Sequence, residues 1–290
     1  MSLSVIPLVG LKADHFRHPL DFQATTTLKQ MPGLDILVRQ VLGNLGEQFF
    51  YLDNIASSIL VGKQQLPQLH DLLLDACRTL DLDPPQLYVR QNPTPNAYTF
   101  AMRGKNPFIV LHTSLIELLT PEEIQAVIAH ELGHLKCEHG VYLTLANLLI
   151  LAAGQLSPVG AALMQGLQAQ ILEWLRCAEL TCDRAALLAT QNPRVVMSVL
   201  MKLAGGSPSL VSQLNLDAFL AQARAYDQSN DELGEMLKQA QTAQLSHPLP
   251  VLRAREIDRW SSAPNYHRLL QGQLNVYNGE ADHQGGWRNW

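Results

Sequence analysis

Two histidines four residues apart with a glutamate between them, His130-Glu131-Leu132-Gly133-His134, form the most chemically pointed pattern in this chain. On a helix, residues four apart share a face, so both imidazoles can reach a single zinc ion. Glu131 then turns towards water on that metal, the place of a general base in metal-assisted peptide hydrolysis. An ordinary helix with two satisfied core histidines is the plain alternative, and a third ligand would separate the two. A catalytic zinc takes three protein ligands and keeps one position open. His139 lies five residues beyond His134, about 140° round a helix, so it does not close the same site and reads as structural. The position after it is Gly140, so the third ligand has to come from another segment.

Glu179 and Asp183 supply the chemistry from a second helical run, Glu173 to Ala189, that ends at Gln191-Asn192-Pro193. Buried carboxylates are costly unless paired or metal-bound, which makes Glu179 a natural third ligand. Asp183, one turn on, is spaced to orient a ligand histidine through its second ring nitrogen. Glu173 competes with Glu179 but has no partner carboxylate one turn further along. A solvated acidic face is the alternative for the pair. The small residues Ala178, Cys182, Ala185 and Ala186 would let two helices approach closely.

The elements that must position these groups are legible around them. Thr120-Pro121-Glu122-Glu123 is a helix start, with Thr120 as cap, Pro121 in the first turn and Glu123 closing a capping box. Ile124, Val127, Ile128, Leu132 and Leu135 then form an apolar stripe beside the two histidines. Upstream, Leu66 to Leu80 is an amphipathic helix stopped by Asp83-Pro84-Pro85. Three β-type runs follow, Gln86 to Arg90, Ala97 to Met102 and Phe108 to His112. The Gly104-Lys105-Asn106-Pro107 turn joins the last two as a hairpin. One small sheet followed by many helices is an α+β pattern. Before residue 60, Leu34 to Leu45 reads helical and Phe49 to Leu60 mixed, while His15 and His18 read as surface or capping residues. The expected division is an N-terminal extension (1–65) packed on a catalytic domain (66–275), then a polar tail (276–290).

A net charge of -5 and a pI near 6.0 exclude a nucleic-acid partner, because no basic surplus exists to neutralise phosphates. Cys77, Cys137, Cys177 and Cys182 fall inside apolar helical patterns and read as small core residues. With no signal peptide visible in the first residues, a reducing, cytoplasmic setting is the expectation. Val141 to Leu172 carries no Asp, Glu, Lys or Arg. Its apolar runs are interrupted too often for a span of about 20 residues. Two short helices turning near Gly154 to Gly160 are expected there, with peripheral membrane contact or a buried dimer contact as the alternative. The oligomeric state is not legible.

Taken together, these motifs resemble the gluzincin family of the CAAX prenyl proteases and HtpX-type proteases, and most of all a branch found in cyanobacteria and plastids. The match rests on Leu119 to Glu123, His130 to His134, Glu179 with Asp183, Asn96-Ala97-Tyr98, and Ser246-His247-Pro248 followed by Arg253. The resemblance implies a mostly helical zincin-type domain holding one zinc per chain on His130, His134 and Glu179. It also implies an edge strand near Asn96, Ala97 and Tyr98 along which an extended peptide lies. His247 is implied as the residue that stabilises the oxyanion, with Arg253 supporting it. The expected activity is that of a zinc metalloendopeptidase acting on extended or unfolded protein segments. A zinc-bearing, chaperone-like binding module and a latent protease with its open zinc position blocked are the alternatives. Where membrane members carry spans beside the zinc helix, this chain has only the interrupted stretch from Val141 to Leu172.

Overall fold

A computed structural model describes residues 5–30, 44–101, 107–140, 142–143, 158–228 and 247–273. In chain order the N-terminal part holds α1 (Ala13–Phe16), α2 (Pro19–Lys29), α3 (Asn44–Ser57), β1 (Ile59–Leu60) and α4 (Pro67–Leu80). The sheet strands β2 (Gln86–Arg90), β3 (Ala97–Phe100) and β4 (Phe108–His112) come next. After them run α5 (Thr113–Leu118), α6 (Pro121–Lys136), α7 (Pro158–Thr190), α8 (Pro193–Gly205), a 3-10 turn at Val211–Gln213, and α9 (Leu216–Gln228). The last elements are α10 (Pro250–Ser261) and α11 (Pro264–Leu270). This is the α+β arrangement that the pattern of elements implies. Most of the expected helix from Leu34 to Leu45, the turn at Gly104 to Asn106, the bend near Gly154, Ser246 and the tail after 276 lie outside the described residues.

The sheet has the order β1-β2-β4-β3, with β2 and β4 parallel and the outer pairs antiparallel. The Phe108-Ile109-Val110-Leu111 run is apolar without alternation and β4 is buried along its whole length, as a central strand requires. Among the described residues the half-buried β3 pairs only with β4, in the register Ala97↔Leu111 to Phe100↔Phe108, and so forms one edge of the sheet.

Helix α6 is pinned at both its start and its flank. Glu123 Oε2 accepts from the Thr120 backbone N–H (2.8 Å) and also from Lys202 Nζ (2.6 Å), while Ser198 donates to Oε1 (2.7 Å). Ile128 and Leu132 are fully buried, each contributing about 1.5–3 kcal/mol. The other face of α6 lies against α7 at Gly133. A Cβ there would come within 2.9 Å of Ala185 Cβ and 3.0 Å of Cys182 Cα, so only glycine permits this approach. The α7 helix starts at Pro158, well before Glu173, so the stretch from Pro158 to Leu172 continues into the Glu179 segment instead of forming a separate short helix. All four cysteines are buried thiols. Among the described residues no helix is long and apolar enough to cross a membrane.

The N-terminal helices pack on α7, and the two histidines in that region are buried instead of lying on the surface. His18 caps α2: its Nδ1 accepts from the Leu20 N–H (3.2 Å) while Nε2 faces Glu256 Oε1 (3.1 Å). This arrangement needs a neutral ring, because a second proton on Nδ1 would remove the cap acceptor. Burial and the neighbouring Arg184 push the His18 imidazole down to about 4. Burial opposes ionisation of Glu256, but the hydrogen bond from His18 and the Arg184 charge hold it down to about 2.

The sign of the resulting pH dependence follows from proton uptake. Between pH of about 6.5 and 4 the unfolded chain protonates His18 and the folded chain does not, so stability is full above that window and falls through it. Glu256 adds a further loss as pH falls below about 4.5, the ordinary glutamate value. The melting temperature is therefore expected to drop on acidification from pH 7 to 5. His18→Gln should melt lower at pH 7 but show a flatter slope, the difference amounting to about 1–3 kcal/mol at about 1.4 kcal/mol per pKa unit. Equal slopes for the parent and the variant would remove His18 from this account.

Candidate metal centre

The chemistry collects where α6 crosses α7. His130 Nε2 lies 3.3 Å from Glu179 Oε2, and His134 Nε2 lies 3.3 Å from Glu179 Oε1. Ligands bound tetrahedrally at about 2.0–2.1 Å stand about 3.3–3.4 Å apart, and each histidine stands at that separation from one oxygen of Glu179. The buried Glu179 Oε2 makes no hydrogen bond of good geometry among the described residues, although nitrogens of His130, Arg253 and His247 stand within 3.3–3.5 Å of it, so its lone pairs stay open to an ion between them. His130, His134 and Glu179 thus fit a divalent metal.

A second candidate donor is close by. Cys182 Sγ, with one nitrogen each from His130 and His134, forms a group within 4.8 Å. Its surroundings argue against it. Cys182 Sγ lies 3.9 Å from His139 Nδ1, the nitrogen that also faces His134 Nδ1 at 3.2 Å, which puts the thiol behind the His134 ring. Burial and the nearby Glu179 charge push that thiol well above its ordinary value, away from the thiolate a metal needs. The Glu179 oxygens, in contrast, face both Nε2 atoms.

Charge around the donors is arranged in layers. Asp183 Oδ1 is 3.1 Å from His130 Nδ1, and Arg253 grips Asp183 with two hydrogen bonds, Nε to Oδ2 (2.8 Å) and Nη2 to Oδ1 (2.6 Å). Arg253 Nη1 also lies 3.3 Å from Glu179 Oε2. Burial opposes charge on His130, but Glu179 and the hydrogen bond to Asp183 raise it to about 10. Burial likewise opposes ionisation of Glu179, yet His247 and His130 hold it well below the ordinary range. Arg253 therefore supports the His130–Asp183 pair and Glu179.

Glu131 lies on the same helix, buried, and Thr99 Oγ1 is 2.7 Å from its Oε2 and 3.1 Å from its backbone carbonyl. Thr99 is on β3, so the sheet edge touches the general-base candidate directly. Side chains alternate along a strand. Ala97 and Thr99 face α6, whereas Tyr98 and Phe100 turn the other way to join Tyr88, Phe108 and Val110. Of the three residues singled out for substrate binding, Asn96 and Ala97 line the cleft, and the Tyr98 side chain faces the opposite side. Thr99 went unremarked in the sequence, although its position two after Ala97 carries the signal.

His247 sits in the loop before α10, its side chain 56% exposed, with Nε2 3.5 Å from Glu179 Oε2. The Glu179 charge favours its protonation, but desolvation, Arg253 and the two other histidines outweigh it and lower the ring below its ordinary value. With Glu131, His130, Glu179 and Arg253 it lines a cavity of about 400 Å³ whose remaining wall is largely apolar, including Val127, Val196 and Leu200. Glu173 pairs with Arg176 (2.6 Å) and takes no part in the cluster.

Behind His134 lies a group that the sequence did not bring together. His134 Nδ1 is 3.2 Å from His139 Nδ1, and His139 Nε2 is 3.1 Å from Asp21 Oδ2. Asp21 also accepts from Thr181 Oγ1 (2.7 Å) and Thr25 Oγ1 (2.9 Å). Burial opposes charge on Asp21, but His139 and Arg17 hold it well below the usual carboxylate range.

Comparison with known proteins bears on this centre. The model of "Peptidase family M48" matches residues 63–261. The chain is 59% identical over 271 residues to "Plastoglobule-localized metallopeptidase 48, chloroplastic" of Arabidopsis thaliana, covering 92% of this chain and 79% of that one. It is 28% identical over 189 residues to "Protease HtpX homolog 2" of Methanosarcina mazei, covering 56% of this chain and 64% of that one. Among solved structures it is similar to that of Ste24p from S. mikatae, at 18% identity and a TM-score of 0.45, covering 83% of this chain and 62% of that one.

Proposed function

Because the chain belongs to peptidase family M48 and is a metallopeptidase, we propose that it is a zinc endopeptidase that cuts extended or unfolded protein segments, with His130, His134 and Glu179 as ligands. The observation that carries this reading is the pair of 3.3 Å separations between the Glu179 oxygens and the two Nε2 atoms, beside a buried Glu131 that is not part of that set. His130, His134 and Glu179 would hold the zinc ion, which would supply Lewis acidity for activating water, towards a pKa of about 7, and for polarising the scissile carbonyl.

The protein's own groups do the rest. Glu131 accepts the proton of the attacking water and hands it to the leaving amine, with Thr99 fixing the orientation of its carboxylate. His247, at the mouth of the cleft, donates an N–H to the developing oxyanion. Arg253 and Asp183 hold the His130 ring and keep the site's charges compensated. The substrate lies along β3 near Asn96 and Ala97, making main-chain hydrogen bonds that select for extended chain more than for sequence. The apolar wall of the cavity receives one hydrophobic side chain beside the cut.

Buried thiols fit a reducing, cytoplasmic compartment, and the charge-free stretch from Val141 to Leu172 is the part suited to peripheral contact with a membrane. The test is incubation with a permanently unfolded protein. Fragments should form, stop on addition of a chelator, and return with zinc. Substrate bound but left intact would assign the chain to a holding module.

A further inference from the structure

His130 and His134 are backed differently. The Nδ1 of His130 meets a carboxylate directly, at Asp183. The Nδ1 of His134 meets another imidazole, and only beyond it a carboxylate, Asp21 of α2. The directions of the protons along this second line follow from the chemistry of the rings. A histidine that gives its Nε2 lone pair to a metal carries its proton on Nδ1. That N–H can donate to His139 Nδ1 only if this nitrogen is unprotonated, so the His139 proton is on Nε2. There it meets Asp21 Oδ2 at 3.1 Å. The remaining hydrogen bonds to Asp21 come from donors that hold the carboxylate still, Thr181 on α7 and Thr25 one turn along α2. Trp174 Nε1 donates to Thr25 Oγ1 at 2.9 Å, and the Trp174 ring packs edge-on against His139, with centroids 5.5 Å apart.

Every member of this line is sealed from water, with His139 at 1% exposure and Asp21 and Thr181 at 0%. Once the His134 Nε2 lone pair is given to a metal, this buried line has one arrangement of neutral rings in which both contacts of His139 are satisfied. Two further polar groups border the line: Arg17 Nε, 3.7 Å from Asp21 Oδ2, compensates the carboxylate charge, and Cys182 Sγ, 3.9 Å from His139 Nδ1, is a weak neighbour.

We propose that His139 and Asp21 are positioning residues of the metal centre, holding His134 in the tautomer and orientation that bind the metal. The inference rests on His134 being a ligand. Its consequence is that α2, which precedes the family-matched residues 63–261, belongs to the working site as well as to the scaffold.

The measurement is zinc affinity by competition with a chromophoric chelator, read beside the melting temperature of the metal-stripped protein and the visible spectrum of the cobalt-substituted protein. Asp21→Asn is nearly isosteric but offers an N–H where His139 needs an acceptor. It should lower zinc affinity about 10–100-fold, as loss of an outer partner of a ligand histidine does, and shift the cobalt bands. The stripped protein should melt within a few degrees of the parent. His139→Leu should lose at least as much affinity, and His139→Asn, which restores an acceptor towards His134, should recover part of it. Thr26→Ala, on the exposed face of the same helix, should behave as the parent.

Parent-like affinity and cobalt spectrum in both Asp21→Asn and His139→Leu would overturn the proposal while leaving the zinc site intact. So would affinity losses that merely track losses in melting temperature. A parent chain that takes up no zinc would overturn the functional reading, and this inference with it.

Discussion

Glu131→Gln is expected to keep the fold and the metal while losing at least about 10²–10⁴-fold in hydrolysis, the usual worth of general acid–base assistance. The expectation follows from what the side chain touches. Its Oε2 is 2.7 Å from Thr99 Oγ1, and a glutamine oxygen can accept that same hydrogen bond. Its carboxylate is not among the groups that converge on one another between α6 and α7, so removing its charge should leave zinc content at the parent level. Three readouts on one preparation decide the matter: metal content, melting temperature, and fragments released from an unfolded protein. Parent-level cleavage by Glu131→Gln would sink the mechanism, and His247 would become the base to test next. A binding module that never cleaves would show no difference between parent and variant in any of the three.

The second large effect is expected at Glu179. Glu179→Gln should lose zinc by more than the roughly 10–100-fold typical of an outer partner, and activity with it. The carboxylate spans both histidines at 3.3 Å, and the variant removes the negative charge that an otherwise histidine-only site needs. It also leaves Arg253, which stands 3.3 Å from Oε2, with Asp183 as its remaining carboxylate. Asp183→Asn is the informative contrast. Its effect on zinc should be milder, within about 10–100-fold. Its effect on stability should be larger, because the doubly bonded Arg253 is buried and breaking such a pair costs about 3–5 kcal/mol. Chelator titration and thermal melting of the two variants separate these roles. Unchanged zinc affinity in Glu179→Gln would shift the third ligand to Cys182, since Glu173 is occupied with Arg176.

The local parts of this centre were written in the sequence because they depend on short spacings. A helix places residues four apart on one face whatever surrounds it, so His130 with His134 and Glu179 with Asp183 could each be read as pairs. The Thr120 to Glu123 start, the apolar stripe of α6 and the continuous apolar run of β4 are likewise local, and all became the elements they suggested. Arg253 was singled out by resemblance alone. Its contacts with Asp183 and Glu179 join residues about seventy apart and needed the fold.

What the tertiary structure alone decided is which distant groups meet. Spacing favoured Glu179 over Glu173 through Asp183 one turn on, but where each carboxylate points depends on the rotation of α7 against α6 at the close approach of Gly133. The strand alternation that turns Thr99 towards Glu131 and Tyr98 away depends on which face of β3 meets α6, which the run Ala97 to Phe100 does not encode by itself. His18 read as a surface or capping residue and Asp21 drew no reading from the sequence, yet both are fully buried. Burying a charge or an imidazole is affordable only with partners in place, and those partners, Glu256 for His18 and His139 for Asp21, lie 238 and 118 residues away along the chain. Local pattern carries periodicity and capping, whereas charge compensation at such separations exists only once the chain has folded.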